Sequence, residues 1–319
     1  MKRAHIPITP AWGIRLALCT ALISGLAIWL NSYAIGSVGD AAVYTTMKNM
    51  VAALVLVGAA SAMGGAVEAR RLDRGQWLRL LIIGVIGGSV PFLLFFVGLS
   101  MATAPSAAFI HKTLFIWVAF MAVPFLGERL AWVQIAALGV LLVGQILLVA
   151  PVAEGVVGVG ELMIFGATLL WSVEIIVAKR VLAGISPAVV GAARLGIGVV
   201  LLIGFVVATG KASLILTLPA EAFAWVLLTG VLLAGYVATW YSALRRAPAS
   251  VVAPVLVVGA VVTAGLNVWS RGLVLDTLAL LGLGAIVMAA IVMAFSARRE
   301  VEEPDETATQ RPVPGSATG

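Results

Sequence analysis

The chain has 319 residues, a formal net charge of +6, and 62% hydrophobic against 11% charged residues, with a mean hydropathy of +1.14. Soluble domains carry about 25% charged residues, so the composition excludes a water-soluble globule and leaves a membrane protein. One cysteine, Cys19, excludes a disulfide framework, and the basic balance has to be read loop by loop, with no nucleic-acid partner implied.

Residues 1–11, with Lys2 and Arg3, read as a short cytoplasmic N-terminus. The apolar run from Trp12 to Gly36 is too long for a signal-peptide core and is expected to remain as the first span. Crossing ~30 Å of hydrocarbon takes about 20 apolar residues. By that measure spans follow at 41–63, 76–99, 103–126, 131–151, 159–179, 187–209, 222–244, 248–270 and 277–297. The tail, 298–319, carries Glu300, Glu302, Glu303, Asp305 and Glu306 with Pro304, Pro312 and Pro314. It has too little apolar surface to order itself and is expected to be a disordered cytoplasmic tail.

Orientation follows from the cations. With the N-terminus inside, fifteen Lys and Arg residues fall on cytoplasmic segments, among them Arg70, Arg71, Arg74, Arg79, Arg129, Lys179, Arg180, Arg245 and Arg246. Only Lys211 and Arg271 fall outside, and Lys48, Lys112 and Arg194 lie within spans. That asymmetry fits an even number of helices with both termini in the cytoplasm of an inner-membrane protein.

The chain also repeats itself. A shift of 143 lays Ala104-Pro105 on Ala247-Pro248, Gly87 on Gly230 and Gly139 on Gly282. With a small drift upstream, Trp29 meets Trp171 and Lys48 meets Arg194, so each half has a cation at the same place in its second span. Five spans per half is an odd number, so the halves run in opposite senses. The expected fold is all-α: ten transmembrane helices as two inverted five-helix repeats, 12–151 and 159–297. Inverted repeats of this kind typify secondary transporters with a midplane site.

At this point the chain resembles a known family. The stretch TAPSAAFIHKTLFIWVAFMAVPFLGERL, 103–130, is similar to the fourth helix of EamA-type members of the drug/metabolite transporter superfamily, and GELMIFGATLLWSVEIIVAKR, 160–180, to their sixth. The resemblance runs from about Trp12 to Arg298 and implies ten spans from a duplicated five-span unit and an exporter of small molecules. The family usually repeats the glutamate of Gly127-Glu128-Arg129 at the end of the ninth helix, where the shift of 143 here finds Arg271. Glu128 is expected to face the N-terminus of the fifth helix and oppose its dipole, with Asp276 doing the same before the tenth.

An ionisable side chain at bilayer depth costs about 2.5–3.5 kcal/mol on insertion scales, so each has to be explained. Lys112 lies about 13 Å into the fourth span at 1.5 Å per residue, too deep to snorkel comfortably. It reads as an anchor for a substrate carboxylate, or else as a scaffold lysine held by carbonyls. His111 beside it is a candidate proton carrier or a packing residue. Glu174 and Arg194 lie at matching depths on adjacent spans and read as an ion pair, structural or gating. Lys48 has Asn31, Ser32 and Tyr44 as expected neighbours, or snorkels outward. Trp29, Trp117, Trp171, Trp240 and Tyr241 are candidates for the cavity wall or for packing. Pro91, Pro124 and Pro254 can interrupt helices where neighbours satisfy the freed carbonyls.

These residues point to a carrier rather than an enzyme: there is no GxxxxGK[ST] and no acidic pair within the spans, and His5 and His111 are the only histidines. Three buried cations against Glu174 favour an anionic or zwitterionic substrate such as an amino acid. Efflux of hydrophobic cations through Glu174 is the alternative, and a membrane-embedded enzyme the different class. No cofactor and no metal site are expected. The partners are a small-molecule substrate and the bilayer, with proton or ion coupling and a homodimer left open.

Overall fold

In hydrocarbon each backbone N–H and C=O must be satisfied within its own segment, so the apolar runs become helices. The computed structural model describes residues 10–102, 104–149 and 158–302. In chain order the helices are α1 Pro10–Val38, α2 Ala41–Ala62, α3 Gly65–Arg70, α4 Arg74–Gly88, α5 Val90–Leu99, α6 Ala104–Lys112, α7 Leu114–Leu126 and α8 Trp132–Val149. The second half continues with α9 Val159–Val181, α10 Pro187–Ala208, α11 Ala212–Leu216, α12 Ala220–Arg246, α13 Ala249–Val255, α14 Gly259–Arg271 and α15 Thr277–Glu302. No strand occurs among the described residues.

Among the described residues ten spans result: α1, α2, α4–α5, α6–α7, α8, α9, α10, α12, α13–α14 and α15. Nine are long and apolar enough to cross a bilayer by themselves, and α8 is a shorter apolar helix of 18 residues. The last helix continues to Glu302. The remainder of the expected tail, 303–319, lies outside the described residues, as do His5 and the rest of 1–9, and 150–157.

Local signals set the helix ends. Asp40 caps α2 by accepting from Ala42 N and Val43 N, and Asp73 with Gln76 forms a capping box on α4. Ser186 caps α10, with Pro187 in its first turn. Gly127 and Gly272 end α7 and α14 in the left-handed region, at φ 68° and 62°.

Large apolar side chains cover the outside of the bundle, with Leu54, Phe120 and Val200 at 67%, 74% and 66% exposure. Such a surface fits lipid and not water. Trp12, Trp77 and Trp132 are exposed near the starts of α1, α4 and α8, all on one face, as in an interfacial aromatic belt. That face also carries Arg70, Arg71, Arg74, Arg129, Arg180, Arg245 and Arg246 at helix ends and is called the basic face below.

The inverted repeat is visible in matched details. The sixth span, α9, crosses in the opposite sense to the first, α1. The short helix α3 follows the second span of one half, and α11 follows the second span of the other, on the opposite face. The fourth span breaks at Thr113, and the ninth breaks at a 3-10 turn, Leu256–Val258, 143 residues on. Gly87 packs against Arg194, while its counterpart Gly230 packs against Val51 and the carbonyl of Lys48, the counterpart of Arg194. Each half also ties its second span to the other half: Asp40 pairs with Lys211 at 2.7 Å, and Ser186 donates from N and Oγ to Glu68 at 2.7 and 2.6 Å.

Candidate functional site

The third span builds the centre of the molecule from one proline. Pro91 has no N–H to bond the Gly87 carbonyl four residues back. Accordingly α4 stops at Gly88, Ser89 turns at φ −137° and ψ −71°, and α5 restarts with Pro91 in its first turn. The freed Gly87 carbonyl accepts from Trp171 Nε1 at 3.1 Å and from Arg194 Nη2 at 3.2 Å. Only glycine fits there, since a Cβ at 87 would lie 2.5 Å from Glu174 Cγ. The repeat position of Pro91 is Ala234, which has its N–H, and α12 runs unbroken through it.

Below this carbonyl, toward the basic face, sits an ionic triad. Glu174 is 1% exposed and accepts from the Tyr241 hydroxyl at 2.5 Å, and the Arg194 guanidinium stands 5.8 Å from the Tyr241 ring. The expected Glu174–Arg194 pair is present, but at 4.0 Å it is the looser contact of the group. Tyr241 and Gly87 hold the two charges more closely than they hold each other.

A second triad lies beyond a cluster of aromatic rings. Lys48 is 5% exposed, its Nζ 5.0 Å from the Tyr44 ring and 5.6 Å from the Phe96 ring. The Tyr44 hydroxyl sits between Asn31 Oδ1 and Thr229 Oγ1, 2.9 Å from the latter. Ser32, expected beside Lys48, instead accepts from Arg271 Nη2 at 2.6 Å.

Aromatic rings join the two triads. Phe96 meets Phe95 at 5.4 Å, Phe95 meets His111 at 5.2 Å and Trp171 at 5.8 Å, and His111 meets Trp171 at 4.9 Å. Phe92 adds an edge-to-face contact with Trp171 at 5.3 Å. His111 Nδ1 is buried with no hydrogen-bond partner, and Lys112, half-buried beside it, is the last residue of α6. A cation suits that position, where the helix leaves carbonyls free.

Of the residues singled out from the sequence, His111, Trp171, Lys48, Asn31, Glu174 and Arg194 belong to the triads or the ring wall, and Lys112 adjoins them. Trp29 and Trp240 do not. Trp29 lies at the α1–α14 seam, donating to Ser270 Oγ at 3.0 Å and meeting Tyr33. Trp240 is 2% exposed in the core and stacks on Tyr236 at 6.3 Å. Trp117 likewise packs, against Phe165 and the Thr113 hydroxyl. Phe92, Phe95 and Phe96 were missed, although their spacing directly after Pro91 puts them on one helix face.

Glu128 acts elsewhere than expected. It accepts from Ala249 N at 2.8 Å, Ser250 N at 2.9 Å and Ser250 Oγ at 2.6 Å, so it caps the ninth span across the half-to-half seam. The start of α8 is served by Gln134, which accepts from Ala131 N at 3.0 Å. Asp276 does meet the start of α15, accepting from Ala279 N. Measured from the cap glycines Gly127 and Gly272, the counterpart of Glu128 is Leu273 rather than Arg271, and the carboxylate is not repeated. Lys179 adds to the basic-face seam by donating to the carbonyls of Leu244 and Ala247 at 2.5 and 2.7 Å. A cavity of about 320 Å³ opens beside this seam, lined by Leu126, Glu128, Lys179, Arg245 and Arg246 among others, away from the aromatic cluster. No group of three or more His, Cys, Asp or Glu placed to hold a metal occurs among the described residues.

Comparisons with known proteins agree with the fold. A crystal structure shares the fold with a TM-score of 0.72 at 19% identity, over 89% of this chain and 98% of that one. A comparison with curated protein sequences finds no match. The model of the EamA-like transporter family matches twice, over residues 11–150 and 158–295, once for each five-span half. The chain therefore belongs to the EamA-like transporter family, multi-pass membrane transporters of small molecules.

Proposed function

We propose that this protein exports a small organic metabolite bearing a carboxylate, anionic or zwitterionic such as an amino acid, by alternating access around the aromatic cluster. The observation that carries the reading is the charge balance at the cluster. Among the described residues Lys48 and Lys112 have no ion-pair partner, whereas Glu174 is engaged by Tyr241 and Arg194. A buried cation without a counter-ion is costly, and an acidic substrate relieves that cost when it enters. Lys112 is the anchor near the midplane, and the rings of Phe92, Phe95 and Trp171 take the apolar part of the substrate.

The direction of transport rests on the family resemblance, and the orientation, with both termini in the cytoplasm of an inner membrane, on the cation asymmetry. Gradient coupling is the default for a carrier of this architecture, with His111 and Glu174 as the groups able to carry a proton. A thermal-shift screen of purified protein against amino acids identifies the ligand, because a molecule that binds only the folded state raises stability by mass action. Uptake of that ligand into proteoliposomes then tests the anchor. Lys112→Ala is expected to abolish it, and unchanged uptake would remove Lys112 from the mechanism.

A further inference from the structure

The two triads share a design and differ in one chemical respect. Each has a buried cation near a tyrosine ring, and each tyrosine hydroxyl meets a side-chain oxygen on the first span of a half. With Trp29 laid on Trp171, Asn31 falls one residue from the counterpart of Glu174, and it is the contact with a tyrosine hydroxyl that makes the two equivalent. The second half thus supplies its own carboxylate to Arg194, while the first half offers a neutral amide, Asn31, to the tyrosine beside Lys48. The tyrosine comes from a different span in each half, Tyr44 on the second and Tyr241 on the eighth, so the matching extends to chemistry more than to helix order. Lys48 is 5% exposed and makes no hydrogen bond or ion pair among the described residues. Asn31 is only half-buried, which leaves the amide side of the triad open to an incoming group.

We infer that Lys48, Tyr44 and Asn31 form a seat for an acidic oxygen group of the transported molecule, which takes the place of the carboxylate that the other half carries in Glu174. This rests on the carboxylated-substrate reading above and adds a second seat to the one at Lys112. Three groups suit an anion there: the Lys48 ammonium, the Tyr44 hydroxyl, which can turn from Asn31 toward it, and the Asn31 amide nitrogen. The ring of Phe96 next to Lys48 excludes water and strengthens the electrostatic interaction. Filling the seat would complete the charge balance on the Lys48 side only while substrate is bound.

Asn31→Asp tests this by building the carboxylate into the protein. Wild type, Asn31→Asp, Lys48→Met and Lys112→Ala are compared by thermal shift with acetate, benzoate and L-amino acids as probes, and with methylammonium as the cationic control. Each is run in chloride and in gluconate buffer. Asn31→Asp is expected to melt higher than wild type without ligand, and to raise the half-saturating concentration of a responding carboxylate at least tenfold. Lys48→Met, which removes the cation and needs no new charge to fold, is expected to lose the response to the same degree. Full response in both variants overturns the seat, and so does an Asn31→Asp protein less stable than wild type. Equal stabilisation by chloride alone would assign the seat to a free inorganic anion and overturn its assignment to substrate. Loss of response in Lys112→Ala with none in Asn31→Asp or Lys48→Met would sink the seat and leave the proposed function standing. A wild-type protein that responds to no carboxylate would sink both.

Discussion

Removing the Glu128 carboxylate should open the basic face. It receives two backbone N–H groups and one hydroxyl from the start of α13, at 2.8, 2.9 and 2.6 Å, and these bonds join the end of the fourth span to the start of the ninth. Hydrogen bonds to a charged group contribute about 1.5–3 kcal/mol each when buried. Glu128 is half-buried, and water can replace part of what is lost, so the loss is nearer the upper value for a single helix cap, about 2 kcal/mol. If the seam must part for the basic face to open, about 2 kcal/mol shifts the closed-to-open ratio about thirtyfold. Val251 lies one residue past the latch and is 1% exposed, so a thiol there reacts only in the open state. In a Cys19→Ser background, which leaves no other thiol, the maleimide labelling rate of Val251→Cys is expected to rise about thirtyfold with Glu128→Ala. Glu128→Gln keeps one acceptor oxygen and should fall between. A rate that stays within twofold of the parent, with helicity retained, would refute the latch.

Three further outcomes follow from other contacts. Tyr241→Phe removes the hydroxyl bonded to Glu174 at 2.5 Å and leaves a buried carboxylate with only Arg194 at 4.0 Å. A loss of about 1–3 kcal/mol in reversible unfolding is expected, and no measurable loss would mean water replaces the hydroxyl. Gly88→Ala would put a Cβ 2.1 Å from the Arg194 carbonyl oxygen, whereas Gly204→Ala meets nothing within 4 Å. The first should cost at least ~1–3 kcal/mol from overpacking and the second should be neutral or slightly stabilising; equal melting temperatures would contradict the close approach of α4 and α10. Partial burial alone would raise the Asp40 carboxyl, but Lys211 at 2.7 Å and the N–H groups of Val43 and Ala42 hold it below its ordinary 3.8. A depressed carboxyl contributes stability that is present above the unfolded value and lost as pH falls through the folded one. Wild type should therefore lose more melting temperature than Asp40→Asn between pH 6 and about pH 3, and the reverse order would show the pair to be inert.

Much of this protein could be read from residue order alone, because hydrocarbon leaves the backbone few choices. Apolar length sets the number of spans, and the position of cations sets a topology in which five spans per half must invert. The repeat could be read from Gly87 and Gly230 and from Lys48 and Arg194, which the folded chain brings together crosswise as Gly87 with Arg194 and Gly230 with Lys48. The position of Lys112, His111, Glu174 and Arg194 along their spans was legible for the same reason, since it is a count along a helix.

Rotation about the helix axis and the choice of partner across a seam were not legible, because both depend on which spans pack together. Glu128 shows this directly: its nearest helix in sequence is α8, but the free N–H groups it meets belong to α13, 121 residues away. Trp29 and Trp171 are counterparts in the repeat, yet one closes a seam with Ser270 and the other serves a carbonyl that Pro91 set free. That proline lies in one half only, so two similar sequences give an interrupted span on one side and a continuous one on the other. The sequence by itself therefore determined the spans, their inversion and the place of each charge along its helix. Only packing decided which rings cluster together and which charges are left without ion-pair partners among the described residues, because those are properties of surfaces that meet only when the two halves close on each other.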